Sequence, residues 1–230
     1  MKAIILAAGE GKRMHPLTKT RPKPLLNVCG KPLIEHLIDA IPPEVSELIV
    51  VVGYLGDQIK SFLGSNWRAR PVTYVFQPVK LGTADALFLC KNFFEKGEQF
   101  LVLYADDLHS SETMANCVAL GKPCLSVVAV DNPQKFGVVT TDEGGRITRI
   151  EEKPEKPASN LVSSGVLVLD GRIFDYPAPV SASGERYLTD SISAMIAEGH
   201  EFHAVHSRFW FPIATPQDLA KANTLRNAEA

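Results

Sequence analysis

The sequence predicts an α/β fold with three layers (α/β/α), in which helices cover both faces of a mixed, mainly parallel sheet. Two observations support this prediction. Strand-like apolar runs alternate with segments of helical spacing up to about residue 130, as right-handed βαβ crossovers require. A hairpin signal and further strands follow, which indicates a small β layer added to that sheet. We therefore predict a single domain over 1–230, with halves at about 1–130 and 131–230.

The first half opens with the continuous apolar run KAIILA, which is typical of a strand buried on both faces. After Pro32, the segment LIEHLIDAI has helical spacing. We expect Thr83 to cap the helix TADALFLCKNFF. The predicted strands cover 2–7, 47–54, 72–77, 99–107 and 124–130, and the predicted helices cover 33–41, 56–63 and 83–94, with room for another helix before the last strand.

The second half begins with two strand-like stretches around Asp-Glu-Gly-Gly in FGVVTTDEGGRITRIEEKP, which is a hairpin signal. The predicted elements after it are the strand VSSGVLVL, the helix YLTDSISAMIAEG ended by Gly199, the strand EFHAVH, and a helix from Thr215 to about Asn227. Open α/β sheets bind ligands outside the carboxyl ends of their strands. We therefore expect the chemistry to follow Ala7, Gln77 and Tyr104.

The composition is that of an ordinary globular protein, with 45% hydrophobic residues and a net charge of -2. That net charge gives no electrostatic reason to expect nucleic acid as a partner. A small anionic ligand stays possible, because a pocket can be positive while the whole protein is not. The four cysteines are scattered without metal-ligand spacing, and no apolar run reaches membrane length. We therefore expect no membrane partner and a cytoplasmic location.

A glycine-rich, basic segment follows the first predicted strand. Gly9 and Gly11 allow the backbone to approach a phosphate and to point its amides at it. A Walker A string is absent, and a dinucleotide fingerprint fails because Met14 replaces its third glycine and no acid ends the second strand. Two interpretations remain: a solvated surface loop, or a longer phosphate loop with its own cations. Those cations are Lys12, Arg13, Lys19, Arg21 and Lys23.

The segment LAAGEGKRMHPLTKTRPKPLLNVCGKPLIEH, residues 6–36, resembles the signature of the sugar-1-phosphate nucleotidyltransferases, or NDP-sugar pyrophosphorylases. This family includes glucose-1-phosphate thymidylyl- and uridylyltransferases and N-acetylmuramate-1-phosphate uridylyltransferases. Later motifs resemble the family's in the same order, so that the resemblance covers nearly the whole chain: LGTADA (81–86), YADD (104–107), FGVV (136–139), EKP (152–154), SG (164–165) and TPQDL (215–219). The resemblance implies the Rossmann-like nucleotide-diphospho-sugar transferase fold.

The resemblance also implies a reaction, in which an NTP and a sugar 1-phosphate give an NDP-sugar and pyrophosphate with Mg²⁺ as cofactor. The sugar phosphate attacks the α-phosphorus in line. Because that phosphate is already ionised at neutral pH, the reaction needs positioning and charge neutralisation rather than a general base. Gln77 with LGTADA most resembles users of UTP or dTTP. Glucose, N-acetylglucosamine and N-acetylmuramate 1-phosphates stay open as acceptors.

The roles implied by the resemblance divide among four groups of residues. The catalytic cations are Arg13, a planar fork for the triphosphate, and Lys23, a point charge for the α-phosphate. The nucleotide contacts are Leu6, Ala7, Ala8, Gly9, Gly11, Lys12, Gln77, Gly82 and Thr83. The sugar-phosphate contacts are Gly137, Glu152, Lys153 and Ser164, and the metal ligand is Asp106. Asp107 could share the metal, and Asp85 has a competing interpretation as a helix-dipole acid.

The chain departs from the family pattern near its end. Pro212 stands where the family usually has an aspartate that serves as a second metal ligand, and proline cannot ligate through its side chain. Two hypotheses follow. The first is an active nucleotidyltransferase, and the second is a catalytically silent, nucleotide- or NDP-sugar-binding regulatory paralogue. The sequence leaves the oligomeric state open, with a homo-oligomer as one option.

Overall fold

A computed structural model of the chain describes residues 1–225 and confirms the predicted α/β class. The strands are β1 Lys2–Ala7, β2 Asn27–Val28, β3 Lys31–Pro32, β4 Glu47–Val52, β5 Asn66–Trp67, β6 Arg70–Phe76, β7 Gln99–Tyr104, β8 Asp107–His109, β9 Cys124–Ala129, β10 Gly137–Thr141, β11 Ile147–Glu152, β12 Leu161–Asp170, β13 His203–His206 and β14 Trp210–Pro212. The α-helices are α1 Leu33–Asp39, α2 Gly56–Leu63, α3 Thr83–Phe88, α4 Ser111–Ala119, α5 Leu188–Ala197 and α6 Pro216–Leu225.

The centre of the sheet is parallel, in the order β7-β1-β4-β6. β1, β4 and β7 are apolar on both faces because each face supports a separate core. Along β1, Ala3 and Ile5 pack into one core with α1 and α2, whereas Ile4 packs into the other with α3 and α5. The carboxyl ends of these four strands therefore lie at one edge of the sheet, as the sequence predicts for a ligand site.

The second half joins this sheet through β12, which pairs antiparallel with β7. The hairpin β10–β11 is joined to the start of β12 through the pairing of Val138 in β10 with Val162 in β12. The predicted strand near 124–130, β9, also pairs antiparallel with β12 rather than extending the parallel set, and β13 lies beside it. The two halves thus share one ten-stranded sheet in the described part of the chain.

Several predicted boundaries differ from the structure, and tertiary contacts explain two of the differences. Thr83 is not the N-cap of α3, since Gly82 holds that position with a φ of 100° and the Thr83 hydroxyl instead accepts from the Leu188 amide. The helix predicted over 83–94 ends at Phe88. The strand predicted over 99–107 ends at Tyr104, because Asp107 begins β8, which pairs with β14. The end of the last predicted helix, at Asn227, lies outside the described residues.

A close approach at Gly53 sets the spacing of the strand ends. A Cβ at this position would lie 2.9 Å from the Ala8 carbonyl oxygen and 3.3 Å from that of Gln77. These two residues follow β1 and β6, so Gly53 allows the two strand ends to come together beside β4. None of the described helices is both long enough and apolar enough to cross a bilayer.

We predict that Gly53→Ala lowers the free energy of unfolding by about 1–3 kcal/mol, because the added methyl group forces the strand ends apart. Urea denaturation measures the change. The matched control is Gly144→Ala in the β10–β11 turn, where the nearest atom to the new Cβ is 3.4 Å away. Equal unfolding midpoints for the two variants would contradict this account of Gly53.

Candidate functional site

The glycine-rich segment after β1 folds back on itself through three short 3₁₀ turns, Lys12–Met14, Leu17–Lys19 and Lys23–Leu25. Gly11 makes this return possible, since its φ is 66° and a Cβ there would lie 3.2 Å from both Lys23 and Thr18. The Thr18 hydroxyl donates to the Gly11 carbonyl oxygen at 2.8 Å. Gly9 has open space around it. The segment is therefore a folded loop, although most of its side chains from Lys12 to Arg21 are exposed.

Lys23 and Asp106 form an ion pair between this loop and the end of β7, with Nζ and Oδ2 2.8 Å apart. Lys23 is only 7% exposed, whereas the Asp106 side chain keeps 45% of its surface in solvent. Partial burial opposes the charged carboxylate, but Lys23 outweighs it and holds the pKa of Asp106 below its usual value, with a smaller contribution from Arg13. The ammonium group of Lys23 thus lies beside the carboxylate of Asp106, just after the carboxyl end of β7, where a ligand is expected.

The other residues predicted in β1 and in the loop differ in their exposure. Ala7 and Ala8 are buried at the end of β1, and Leu6 is half-buried. Arg13 is exposed and near enough to Asp106 to affect its pKa. The Lys12 side chain is 76% exposed and has Glu10 3.9 Å away. Lys12 and Arg13 are therefore cations open to a dissolved anion.

Gln77 lies immediately after β6 and is 5% exposed. Its Nε2 donates to Asp85 Oδ2 at 2.8 Å and to the Gly82 carbonyl oxygen at 3.3 Å. Gly82 itself is covered by the main chain of Arg186, since a Cβ at Gly82 would lie 2.4 Å from the Arg186 carbonyl oxygen. Gln77 therefore contacts Gly82, and Thr83 follows directly, so the three predicted base-recognition residues lie close together in space.

The Arg186–Leu188 segment, which the sequence analysis missed, holds the base-recognition segment in place. The Arg186 amide donates to the Leu81 carbonyl oxygen at 2.6 Å, and the Arg186 carbonyl oxygen accepts from the Ala84 amide at 3.0 Å. The Leu188 amide donates to the Thr83 hydroxyl at 3.0 Å. No local pattern in the sequence marks these contacts, since more than 100 residues separate their partners along the chain.

Glu152 and Lys153 lie at the end of β11, where the Lys153 Nζ is 3.0 Å from Glu152 Oε1 and 4.6 Å from the centre of the Tyr187 ring. Partial burial opposes the charge on Lys153, but Glu152 outweighs it and raises the pKa of Lys153. Lys153 has a φ of 44°, which is uncommon for a residue with a side chain. The structure therefore keeps this cation beside a carboxylate at the cost of backbone strain.

Thr189 is a second residue that the sequence analysis missed. Its hydroxyl donates to Glu152 Oε2 at 3.0 Å, and its methyl group covers Gly137, where a Cβ would lie 2.8 Å away. Gly137 is also the strand partner of Glu152. In the sequence, Thr189 is only a threonine in the first turn of a predicted helix. That pattern does not indicate that α5 packs against β11.

The structure gives Ser164 a different environment from the predicted one. Its side chain is 1% exposed and pairs with the Ser126 hydroxyl at 2.5 Å, so it does not offer a free hydroxyl to a sugar phosphate. The neighbouring Gly165 packs against Tyr104, since a Cβ at Gly165 would lie 3.1 Å from the Tyr104 ring. Burial raises the pKa of Tyr104, with further contributions from Glu152 and Asp106. Tyr104 is therefore near both Glu152 and Asp106.

Asp107 anchors the end of the chain to this edge of the sheet. Its carboxylate accepts from Trp210 Nε1 at 2.9 Å and from the Ile213 amide at 3.2 Å. Burial, together with the charge of Asp106, raises the pKa of Asp107 to about 7. Pro212 is its direct partner in the β8–β14 pairing. The position where a second carboxylate was expected thus lies opposite Asp107.

The chain matches the family model described as "Nucleotidyl transferase" over residues 2–229. It is 36% identical over 228 residues to the "Bifunctional protein GlmU" of Methanococcus maripaludis, which covers 97% of this chain and 54% of that protein. The chain thus spans about half the length of the curated relatives of this kind. It is also 32% identical to the UTP–glucose-1-phosphate uridylyltransferase AglF of Haloferax volcanii, with 96% and 95% of the two chains covered.

One solved structure is similar over almost its full length. It is a crystal structure from Bacillus anthracis, described as a "Putative Glucose-1-Phosphate Thymidylyltransferase" in complex with a sucrose. The TM-score is 0.86 at 30% sequence identity, and the match covers 98% of this chain and 94% of that one.

We predict an asymmetric response when the Lys23–Asp106 pair is broken. Asp106→Ala leaves a buried ammonium group without its partner and should lower the free energy of unfolding by about 1–3 kcal/mol, less than for a fully buried pair because Asp106 is half-exposed. Lys23→Met should cost less, since Asp106 can be hydrated. Urea denaturation measures both.

The control for this comparison is Asp57→Ala. Asp57 pairs with Lys60 at 3.2 Å on the surface, and its side chain is 95% exposed, so its removal should change the free energy of unfolding by less than about 0.5 kcal/mol. If Asp106→Ala and Asp57→Ala unfold at the same urea concentration, the buried pair does not stabilise this edge.

Proposed function

We propose that this chain, which belongs to the nucleotidyl transferase family, joins an NTP to a sugar 1-phosphate and releases pyrophosphate. The observation that carries the proposal is the placement of two separate charge clusters at one edge of the sheet. The loop cations Arg13 and Lys23 lie with Asp106 at the ends of β1 and β7, and Glu152 with Lys153 lies at the end of β11. Tyr104 is near a carboxylate of each cluster.

The clusters suit the two substrates of an in-line displacement. Lys12, Arg13 and Lys23 can neutralise the triphosphate, and the folded loop around Gly11 can supply main-chain donors to its oxygens. Glu152 can accept from sugar hydroxyls while Lys153 binds the sugar phosphate. The phosphate oxygen then attacks the α-phosphorus, and the bond to the pyrophosphate oxygen breaks. Positioning and neutralisation of charge are sufficient for this step, because the nucleophile is already ionised.

Magnesium is part of this proposal, with Asp106 as its ligand. The Asp106 side chain is partly exposed, and Mg²⁺ prefers carboxylate oxygens as ligands. One or two carboxylates are enough when substrate phosphates and water supply the other ligands. Among residues 1–225 no three His, Cys, Asp or Glu side chains converge on one point, so the residues present fit such an open site and not a closed protein cage. When bound, the metal would neutralise the phosphate charge. Asp107, opposite Pro212, is the adjacent carboxylate that could assist.

Two further features of the proposal concern selectivity and location. We propose UTP or dTTP as the nucleotide, supported by the Gln77–Gly82–Thr83 segment and by the uridylyl- and thymidylyltransferases among the similar proteins. We place the protein in the cytoplasm, which the buried free thiols of Cys90, Cys117 and Cys124 support, because a reducing compartment keeps such thiols unoxidised.

We predict that pyrophosphate release, measured with the four NTPs against the 1-phosphates of glucose, N-acetylglucosamine and N-acetylmuramate, will identify at least one active pair containing UTP or dTTP. EDTA should stop the reaction. Asp106→Ala should lower kcat by at least about 10²-fold, the scale of a lost electrostatic contact in a transition state, while Asp57→Ala leaves it unchanged.

A different outcome of the same experiment would favour the silent regulatory subunit, which the proline at position 212 motivates. In that case no pair turns over although a nucleotide still binds. An Asp106→Ala variant with wild-type kcat would instead contradict the assignment of the metal ligand.

We predict that Thr189→Val raises the KM for the sugar 1-phosphate about tenfold and leaves the KM for the NTP unchanged. The valine keeps the shape over Gly137 but removes the hydrogen bond that orients Glu152, and a bond to a charged group contributes about 1.5–3 kcal/mol. Initial-rate kinetics measures both constants. Thr189→Ser, which retains the hydroxyl, is the control. If the two variants show equal KM values for the sugar phosphate, Thr189 does not orient Glu152.

A further inference from the structure

We infer that Asp85 is a specificity-determining residue, because it fixes the side-chain amide of Gln77 so that only the carbonyl oxygen is left to read the base. The inference rests on the proposed function and deepens it. It identifies the kind of base edge that the site accepts, namely one that presents a ring N–H, as uracil and thymine do and cytosine does not.

The geometry around Gln77 determines which way its amide points. Nε2 is 2.8 Å from Asp85 Oδ2 and 3.3 Å from the Gly82 carbonyl oxygen. An ionised carboxylate and a main-chain carbonyl can only accept hydrogen bonds, so both require the NH₂ end of the amide. Rotating the amide by 180° would place Gln77 Oε1 against two acceptors, at 5% exposure of the residue. The chemistry of the partners therefore selects one orientation.

The two partners of Gln77 are themselves held in place. The Gly82 carbonyl oxygen accepts from the Ala86 amide at 3.2 Å, which is the first turn of α3, and Asp85 lies in that same turn. The Arg186 main chain covers Gly82 from the other side. Rigid partners make the orientation of the amide a property of the folded protein that exists before a ligand arrives.

This orientation has a consequence for the base. Both N–H groups of the Gln77 amide are used, and among residues 1–225 no donor bonds to Oε1. A base placed beside Oε1 of Gln77 would therefore meet an acceptor. The N3–H of uracil or thymine can donate to it, whereas the N3 of cytosine is itself an acceptor and would leave Oε1 unpaired. A site built for one hydrogen-bonding edge can reject the wrong edge strongly, because buried polar groups are left without partners.

The competing explanation is that Asp85 only stabilises α3 by its position in the first turn. Asp57 provides a matched control, since it occupies the first turn of α2, and its side chain is 95% exposed and far less constrained. Asp57→Asn removes the same helix-dipole interaction without touching Gln77. Asp85→Asn keeps the size of the side chain but can accept from Nε2 or donate to Oε1, so it no longer selects one orientation of the Gln77 amide.

Equilibrium titrations of UTP and CTP in the presence of Mg²⁺, without any sugar phosphate, test the inference. We expect the wild type and Asp57→Asn to prefer UTP by the same ratio of Kd values. Asp85→Asn should reduce that ratio about tenfold or more, by weakening UTP and strengthening CTP. Asp85→Ala, which removes the constraint altogether, should reduce it as well. Thermal unfolding of each variant separates loss of selectivity from loss of fold.

An unchanged ratio of Kd values in folded Asp85→Asn would overturn the inference while leaving the proposed function standing. A wild type that binds CTP as tightly as UTP would do the same. If the wild type binds neither nucleotide, the proposed function and the inference both fail.

Discussion

The buried ammonium group of Lys23 constrains the arrangement of this site more than any other group. A charged side chain at 7% exposure needs a partner, and the only one recorded among residues 1–225 is the carboxylate of Asp106. This requirement ties the loop after β1 to the end of β7. Because β1 and β7 are adjacent parallel strands, the loop is drawn over their carboxyl ends, and its cations Lys12 and Arg13 stay exposed.

A second set of contacts connects the proposed nucleotide side of the site to the proposed sugar-phosphate side. The Arg186–Thr189 segment binds the base-recognition segment through Leu81, Thr83 and Ala84, and it binds Glu152 through Thr189. One short stretch of chain therefore positions groups on both sides of the site. A displacement of α5 would therefore disturb both Leu81–Ala84 and the Glu152–Lys153 pair.

Local patterns in the sequence were sufficient for much of the fold. The bounds of β1 and α2 agree with the prediction, since a doubly buried strand and a short amphipathic helix have strong local signals. The roles of the loop cations, Asp106 and the Glu152–Lys153 pair stay predictions from motifs; the structure shows where these residues lie, with Lys23 paired to Asp106 and Lys153 to Glu152. Contacts between distant segments could not be predicted. The β8–β14 pairing, the Arg186 cover over Gly82 and the burial of Ser164 against Ser126 depend on packing across the sheet.

The central claim is that one edge of the sheet brings two phosphates together so that one attacks the other. Phosphorus NMR of the reaction with a sugar 1-phosphate whose non-bridging oxygens carry ¹⁸O tests this directly. The account predicts that all of the label enters the NDP-sugar, including the oxygen that bridges its two phosphorus atoms, and that pyrophosphate is unlabelled. Label in pyrophosphate, or its release to water, would contradict direct attack by the sugar phosphate.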